Sequence, residues 1–288
     1  MENIKVSVIV PVYNRLEHLR VLFICLLNQK IQPYELIITD DGSSEKVLDY
    51  IGDLIEKAKF KIKHIYQEDR GFRKTRALNN AVRESEGEYL IFCDQDLIFP
   101  NDYIEKMLRN AKKNEYLMGR AHNTEFEEKK LILEKLNKTK DYCIIKEIVP
   151  QKYFENMLHQ YRLDKKRRIL QRFCLNKRGI RLAGMSYGLF KEDYLKVNGY
   201  DEKYQGWGYE DDDFGNRLCV SGVKSRELKT DLIQLHLYHP FDPSKKKSLN
   251  EEYYYERKKE IFKRKDYFCK YGVKNSLDGD KVSKYTLK

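Results

Sequence analysis

Apolar residues recur along the first hundred positions in two alternating rhythms. Ile4 to Val12 is a nearly unbroken β-branched run with Pro11 close to its end, the pattern of a strand buried on both faces. Leu16, Leu19, Leu22, Phe23, Leu26 and Leu27 follow at helical spacing. The alternation then repeats: a strand over Tyr34–Thr39, a helix over Glu45–Lys59, a strand over Lys61–Gln67, a helix over Arg73–Ser85 and a strand over Tyr89–Cys93. Short strands alternating with helices predict a parallel α/β sheet, in which ligands bind beyond the carboxyl ends of the strands. Asp40-Asp41-Gly42-Ser43 and Asp94-Gln95-Asp96 fall at those ends.

The rhythm changes after residue 123. Thr124 to Gly179 is rich in Lys, Arg and Glu and carries helical periodicity in Ile132, Leu133, Leu136 and in Phe154, Met157, Leu158, Tyr161. It reads as a helical insertion over the sheet, an acceptor-side lid if its basic run Lys165–Arg168 has a role beyond facing solvent. Strand character resumes over Arg181–Phe190, with Gly184 and Gly188 allowing close backbone approach. A short helix over Lys191–Val197 stops at Asn198-Gly199. A last strand spans Asp231–Tyr238, a charged helix Glu251–Cys269, and a basic, polar end, Gly272–Lys288, is expected to fray.

Composition narrows the partners. Fifty-six basic against 45 acidic residues give a net charge of +11, which suits an anionic partner such as a nucleotide, a phospholipid surface or nucleic acid. Six scattered cysteines without a CxxC pair argue against zinc and a disulfide framework. Val6–Val12 is too short for a signal peptide, and no apolar run approaches the ~20 residues that span a bilayer. The expected location is therefore the cytoplasm, with the basic insertion and tail suited to peripheral contact with an anionic inner membrane face. Neither GxGxxG nor a P-loop follows the first strand, where Pro11-Val12-Tyr13-Asn14-Arg15 stands instead.

Chemistry concentrates in Gly206-Trp207-Gly208-Tyr209-Glu210-Asp211-Asp212-Asp213. Acids at a helix start complement its dipole, yet capping accounts for one or two of them, not four. Asp213 can pair with Arg217 at i,i+4. Asp211 shares a face with Phe214 and Leu218, so it points inward at the mouth of the core, where a general base would stand. Asp94 and Asp96 point the same way if the chain there is extended; they suit a divalent cation holding a diphosphate, or simply a solvated turn. A lone His is more often structural than a ligand, but His236 and His239, at HxxH spacing just past a strand in a chain that already carries a paired-Asp turn, shift the reading towards metal.

Three early stretches, Val8–Asn14, Thr39–Ser43 and Asp94–Asp96, together resemble the family 2 glycosyltransferases of GT-A fold. The later stretches Ala183–Ser186, Asn198–Tyr200 and Gly206–Leu218 resemble the carboxyl half of the beta-1,4-galactosyltransferases, a combination similar to bacterial chondroitin-polymerase-type transferases. The resemblance covers roughly residues 4–122 and 181–243. It implies a Rossmann-like mixed sheet flanked by helices, in a domain over residues 1–245 with its insertion at 124–180, followed by a helical extension and basic tail over 246–288.

The resemblance also implies roles. Asp40 would hold the uracil of a UDP-sugar, with Pro11, Tyr13 and Arg15 walling its pocket and Asp94 contacting the sugar-nucleotide. Asp96 and His239 would bind Mn2+, or Mg2+, with His236 standing where the galactosyltransferases have a methionine. Asp211 would be the catalytic base, Trp207 would stack on sugar, and Glu210 and Asp212 would bind acceptor hydroxyls. Tyr209 replaces a glycine of the animal enzymes. Arg70, Arg73 and Arg76 lie at the nucleotide edge in this reading. It implies an inverting, metal-dependent transfer from a UDP-sugar to a glycan or lipid-linked glycan acceptor in surface polysaccharide synthesis, with no nucleic-acid partner. The alternative is a non-catalytic basic module binding nucleic acid or anionic glycan; a sugar-nucleotide pyrophosphorylase would need a glycine-rich loop that this chain lacks.

Overall fold

The computed structural model describes residues 4–172, 181–227, 232–240 and 247–288. Strands β1 (Val6–Val12), β2 (Glu35–Asp40), β3 (Lys61–Gln67) and β4 (Tyr89–Cys93) alternate with helices α1 (Leu16–Leu27), α2 (Val47–Ile55) and α3 (Lys74–Glu84). After them come β5 (Leu97–Ile98), α4 (Tyr103–Asn110), β6 (Glu115–Met118) and β7 (Arg120–Asn123). Helices α5 (Phe126–Thr139), α6 (Ile144–Ile148) and α7 (Gln151–Arg172) form the insertion. Then follow β8 (Ser186–Phe190), α8 (Lys191–Lys196), α9 (Glu210–Val220), β9 (Lys224–Glu227), β10 (Ile233–His236), α10 (Glu251–Arg264) and β11 (Val282–Thr286).

One sheet runs in the order β11-β3-β2-β1-β4-β8-β6-β9. Its centre, β3-β2-β1-β4, is parallel, with Val8 opposite both Leu36 and Ile91. β8 lies antiparallel between β4 and β6, so the sheet is mixed. A second small sheet, β5-β10-β7, stands beside it. The unbroken apolar run of β1 has a simple cause. Val8 and Val10 pack with Leu22, Leu36 and Ile38 on one face, while Ile9 packs with Ile37, Phe92 and Phe214 on the other. A strand covered on both sides has no solvent face to mark with polar residues.

Three expectations need correction. The carboxyl-terminal segment is not frayed: β11 pairs antiparallel with β3, Val282 opposite Gln67 and Thr286 opposite Lys63, and so covers what would be an open sheet edge. Asp94 and Asp96 do not lie on extended chain, since residues 95 and 96 form a turn in which the Leu97 amide donates to the Asp94 carbonyl. β10 is shorter than expected. Asp231 lies outside the described residues, and at the other end the strand stops at His236, with the Leu237 amide continuing the register against β5 by donating to the Asp96 carbonyl at 2.9 Å. The insertion is helical as read, but α5 and α6 are more than a lid. Ile132, Leu136, Ile144 and Ile145 are buried in the main core; residues 173–180 lie outside the described part. No helix among the described residues is long and apolar enough to cross a membrane.

The acidic helix α9 is fixed from below by Arg217. Its side chain is fully buried and donates to Asp213 Oδ2 at 2.6 Å, to the Val197 carbonyl at 2.9 Å and to the Gly199 carbonyl at 2.7 Å. The i,i+4 pair expected from the sequence is thus the interior anchor of the helix. Arg217→Met leaves Asp213 charged and uncompensated, and should cost roughly 3–5 kcal/mol in a urea titration, with the double change Asp213→Leu/Arg217→Met recovering much of it.

Candidate active site

Four segments converge at the carboxyl ends of the central strands. The first is the exit from β1. Asn14 and Arg15 both take positive φ (50° and 52°), and Glu45 caps α1 from a distance by accepting the Arg15 and Leu16 amides at 2.9 Å each. Pro11, Tyr13 and Arg15 are thereby held on the wall of a cavity of about 300 Å3, which Asp94, Asp96, Trp207, Glu210, Asp211, His236 and His239 also line.

The second is the turn after β4. Asp96 is buried, and burial raises its pKa despite the two nearby imidazoles. Its carboxylate oxygens face His236 Nε2 and His239 Nε2 at 3.4 Å each, and Oδ1 has no hydrogen bond among the described residues. His239 Nδ1 lies 2.9 Å from the Pro240 carbonyl; a carbonyl only accepts, so Nδ1 is the donor there and Nε2 is the nitrogen turned to Asp96. One carboxylate oxygen and two imidazole nitrogens within 4.8 Å of one another could hold a divalent cation. His236 stands with Asp96 and His239 rather than apart from them.

The third is the start of α9. Gly206, Gly208 and Tyr209 have φ of 77°, 108° and 72°. This left-handed backbone turns Trp207 outward, 44% exposed, onto the cleft. The four acids then separate by helical spacing. Asp213 goes inward to Arg217. Asp212 accepts from the Tyr254 hydroxyl and pairs with Arg181 at 3.1 Å. Asp211 Oδ1 accepts from the Tyr200 hydroxyl at 2.8 Å. Glu210 is buried beside it. Burial raises the pKa of Asp211, and burial with the Asp211 charge pushes Glu210 up to about 7.

Room for Asp211 comes from Gly184. A Cβ there would stand 2.1 Å from the Asp211 carboxylate oxygens. Beyond this contact opens a second cavity of about 500 Å3, lined by Asp212, Arg120, Gln160, Asp164, Arg167 and Glu227 among others. Gly184, Trp207, Glu210 and Asp211 line both cavities. The base candidate therefore stands at the junction of two chambers, one holding the metal-ligand group and the other reached by the insertion helix α7.

The fourth segment, the start of α3, supplies a residue that sequence reasoning missed. Lys74 Nζ lies 2.6 Å from Asp94 Oδ1. Burial alone would lower its pKa, but the charges of Asp94, Asp211 and Glu210 outweigh burial and raise it. It is a cation set among the clustered acids Asp94, Asp211 and Glu210. The signal in the sequence was a lysine at a helix start, where a cation opposes the dipole.

Three expected residues are elsewhere. Asp40 turns to the far side of its loop, accepting the Ser43 amide at 2.7 Å and facing His64 at 3.2 Å, beside a separate cavity. The next residue, Asp41, lines the cavity that holds Asp94 and Asp96 instead, its carboxylate receiving Gln67 Nε2 and the Arg73 amide at 2.6 Å each; burial raises its pKa to about 6. Arg70 and Arg76 are not in the cleft. Arg70 pairs with Glu68 and Asp280, and Arg76 with Gln67 and Asp278.

Comparison with known proteins places this geometry. Residues 7–181 match the family model for glycosyl transferase family 2, and residues 167–240 match one described as the N-terminal domain of galactosyltransferase. The chain is similar to the chondroitin synthase of Escherichia coli, 26% identical over 83% of this chain and 35% of that protein. It is also similar to the hyaluronan synthase of Pasteurella multocida, 24% identical over 87% of this chain and 26% of that protein. It thus spans about a third or less of these relatives' length. The crystal structure of S. aureus TarS 1-349 in complex with UDP-GlcNAc superposes with a TM-score of 0.56 at 16% identity, covering 88% of this chain and 64% of that one, and so shares the fold. With more than half of its length matched by the family model, the chain belongs to glycosyl transferase family 2.

Proposed function

We propose that the chain is an inverting glycosyltransferase that moves a sugar from a UDP-sugar to a hydroxyl of a glycan or lipid-linked glycan acceptor. The observation that carries this reading is the placement of Asp211 on the wall shared by two cavities. A donor in the smaller chamber and an acceptor in the larger would meet at that carboxylate. The UDP and UDP-GlcNAc complexes of the TarS neighbour support a UDP-sugar as donor.

In this reading Pro11, Tyr13, Arg15 and Asp41 line the pocket of the nucleotide, taking the part first given to Asp40. Asp96, His236 and His239 would hold a divalent cation, which when bound neutralises charge on the diphosphate. Lys74 adds a fixed cation on the same side, next to Asp94. Asp211 accepts the proton of the acceptor hydroxyl as that oxygen attacks the anomeric carbon. A bond forms from the acceptor oxygen to that carbon, and the bond from the carbon to the diphosphate oxygen breaks. The electron pair leaves with UDP, and a single displacement turns an α-linked donor into a β-linked product. Tyr200, donating to Asp211 Oδ1, leaves the other oxygen to take the proton. Trp207 offers an apolar ring to a sugar face, and Glu210 and Asp212 offer acceptors to hydroxyls.

Asp211→Asn should lower transfer about 10²-fold or more with folding unchanged, and UDP release at the wild-type rate would remove Asp211 as base. The wild-type rate should also fall on acidification above the ordinary carboxylate range of about 4, because a base with a raised pKa is protonated early. Gly184→Ala places a methyl where the Asp211 carboxylate stands; we expect a loss of about 10²-fold in kcat, in line with displacement of a reacting group by an ångström. Asp96→Ala and His239→Ala should each weaken Mn2+ binding about 10-fold or more by calorimetry. Unchanged metal affinity in both would dissolve the metal assignment.

A further inference from the structure

We propose that Asp278 and Asp280, in the carboxyl-terminal segment before β11, are positioning residues for the donor cleft and act through Arg73. Phe72 and Lys74 both line the cavity that holds Asp94 and Asp96, and Arg73 stands between them. Its backbone amide donates at 2.6 Å to Oδ2 of Asp41, which lines the same cavity. Its guanidinium points the other way, nearly buried, with Nη1 2.7 Å from Asp280 Oδ2 and 3.4 Å from Asp278 Oδ2. One residue thus joins the terminal segment to the cleft wall.

Neighbouring contacts make the clamp two-sided. Arg70 Nη1 reaches Asp280 Oδ1 at 2.7 Å, and Arg76 Nη2 reaches Asp278 Oδ1 and the Asp280 carbonyl at 2.9 Å each. Val282, two residues on, pairs with Gln67 at the end of β3, and Gln67 in turn donates to Asp41 Oδ1 at 2.6 Å. Both oxygens of Asp41 are therefore held by groups that the terminal segment fixes in place. The arginines that a nucleotide diphosphate would be expected to attract are instead occupied by two aspartates some two hundred residues away in sequence. Their charge is used to set the wall of the cleft, not to meet the ligand. On its other side the same wall carries the Trp207 turn, since the Phe72 carbonyl accepts the Gly206 amide at 2.9 Å and Thr75 Oγ1 donates to the Tyr204 carbonyl at 3.1 Å.

The assignment rests on the donor-cleft reading given above, and the test separates the two. The full chain is titrated with UDP in saturating Mn2+ by calorimetry. The double variant Asp278→Asn/Asp280→Asn should bind UDP about tenfold more weakly at unchanged stoichiometry. Asp280→Glu keeps the charge and should stay within about threefold of wild type. If the acids were merely structural, the double variant would bind at reduced stoichiometry with an unchanged Kd, and that result, or wild-type binding throughout, overturns the assignment while leaving the donor cleft standing. A wild-type chain that binds no UDP overturns both. Should the double variant not fold, Asp278→Asn alone is read in the same way, since its carboxylate is the more exposed of the two and contacts both Arg73 and Arg76.

Discussion

The contact between Lys74 and Asp94 resolves the problem that this architecture creates. Acidic side chains from the β4 turn and from α9 are gathered into one cleft, and in a poorly hydrated space they repel each other and lose solvation. A half-buried ammonium 2.6 Å from Asp94, close enough to Asp211 and Glu210 to be held protonated by them, makes the gathering tolerable. Lys74 is itself placed by the residues on either side of it: Thr75 is bonded to the Tyr204 carbonyl, and the amide of Arg73, just before α3, to Asp41. The cleft therefore depends on a helix start whose register is fixed from both sides.

The four consecutive acids of α9 show how one helical turn distributes a single residue type among different tasks. A rotation of about 100° per residue sends Asp213 into the interior, where Arg217 compensates it, and leaves Glu210 and Asp211 on the cleft. The raised pKa values there have a cost with a definite sign. Glu210, near 7 in the folded chain against an ordinary value of about 4.3, binds a proton in the native state that the unfolded chain has released. Stability from this group is therefore lost as pH rises through that window. Deprotonated acids are what the proposed chemistry needs and what the fold least favours, a conflict concentrated where function is expected.

Much of this was legible in the sequence. The β-branched run of β1, the alternation through β4, and the order of the DxD, Gly-Trp-Gly-acid and HxxH stretches led to the right sheet and gathered most of the cleft. What escaped had physical reasons. Asp40 and Asp41 are adjacent, and which of them faces a ligand depends on how the chain twists as it leaves β2, a property without a sequence signature. β6, β7 and β9 are four residues each, too short for alternation to stand out. The polar end of the chain reads as solvated because its charges are indistinguishable from surface charges until Arg70, Arg73 and Arg76 are seen to receive them. β11 is recognisable only once the edge of β3 is known to be free.

Trp207 sits between two glycines of positive φ, outside the regular part of α9, with its indole facing both chambers. The chain contains no other tryptophan. Excited at the red edge, where its 22 tyrosines absorb little, the chain therefore emits from a single indole located at the meeting point of the two chambers. In the proposed reading, occupancy of either chamber alters the polarity around that ring, so the protein would carry its own optical readout of ligand entry without any label.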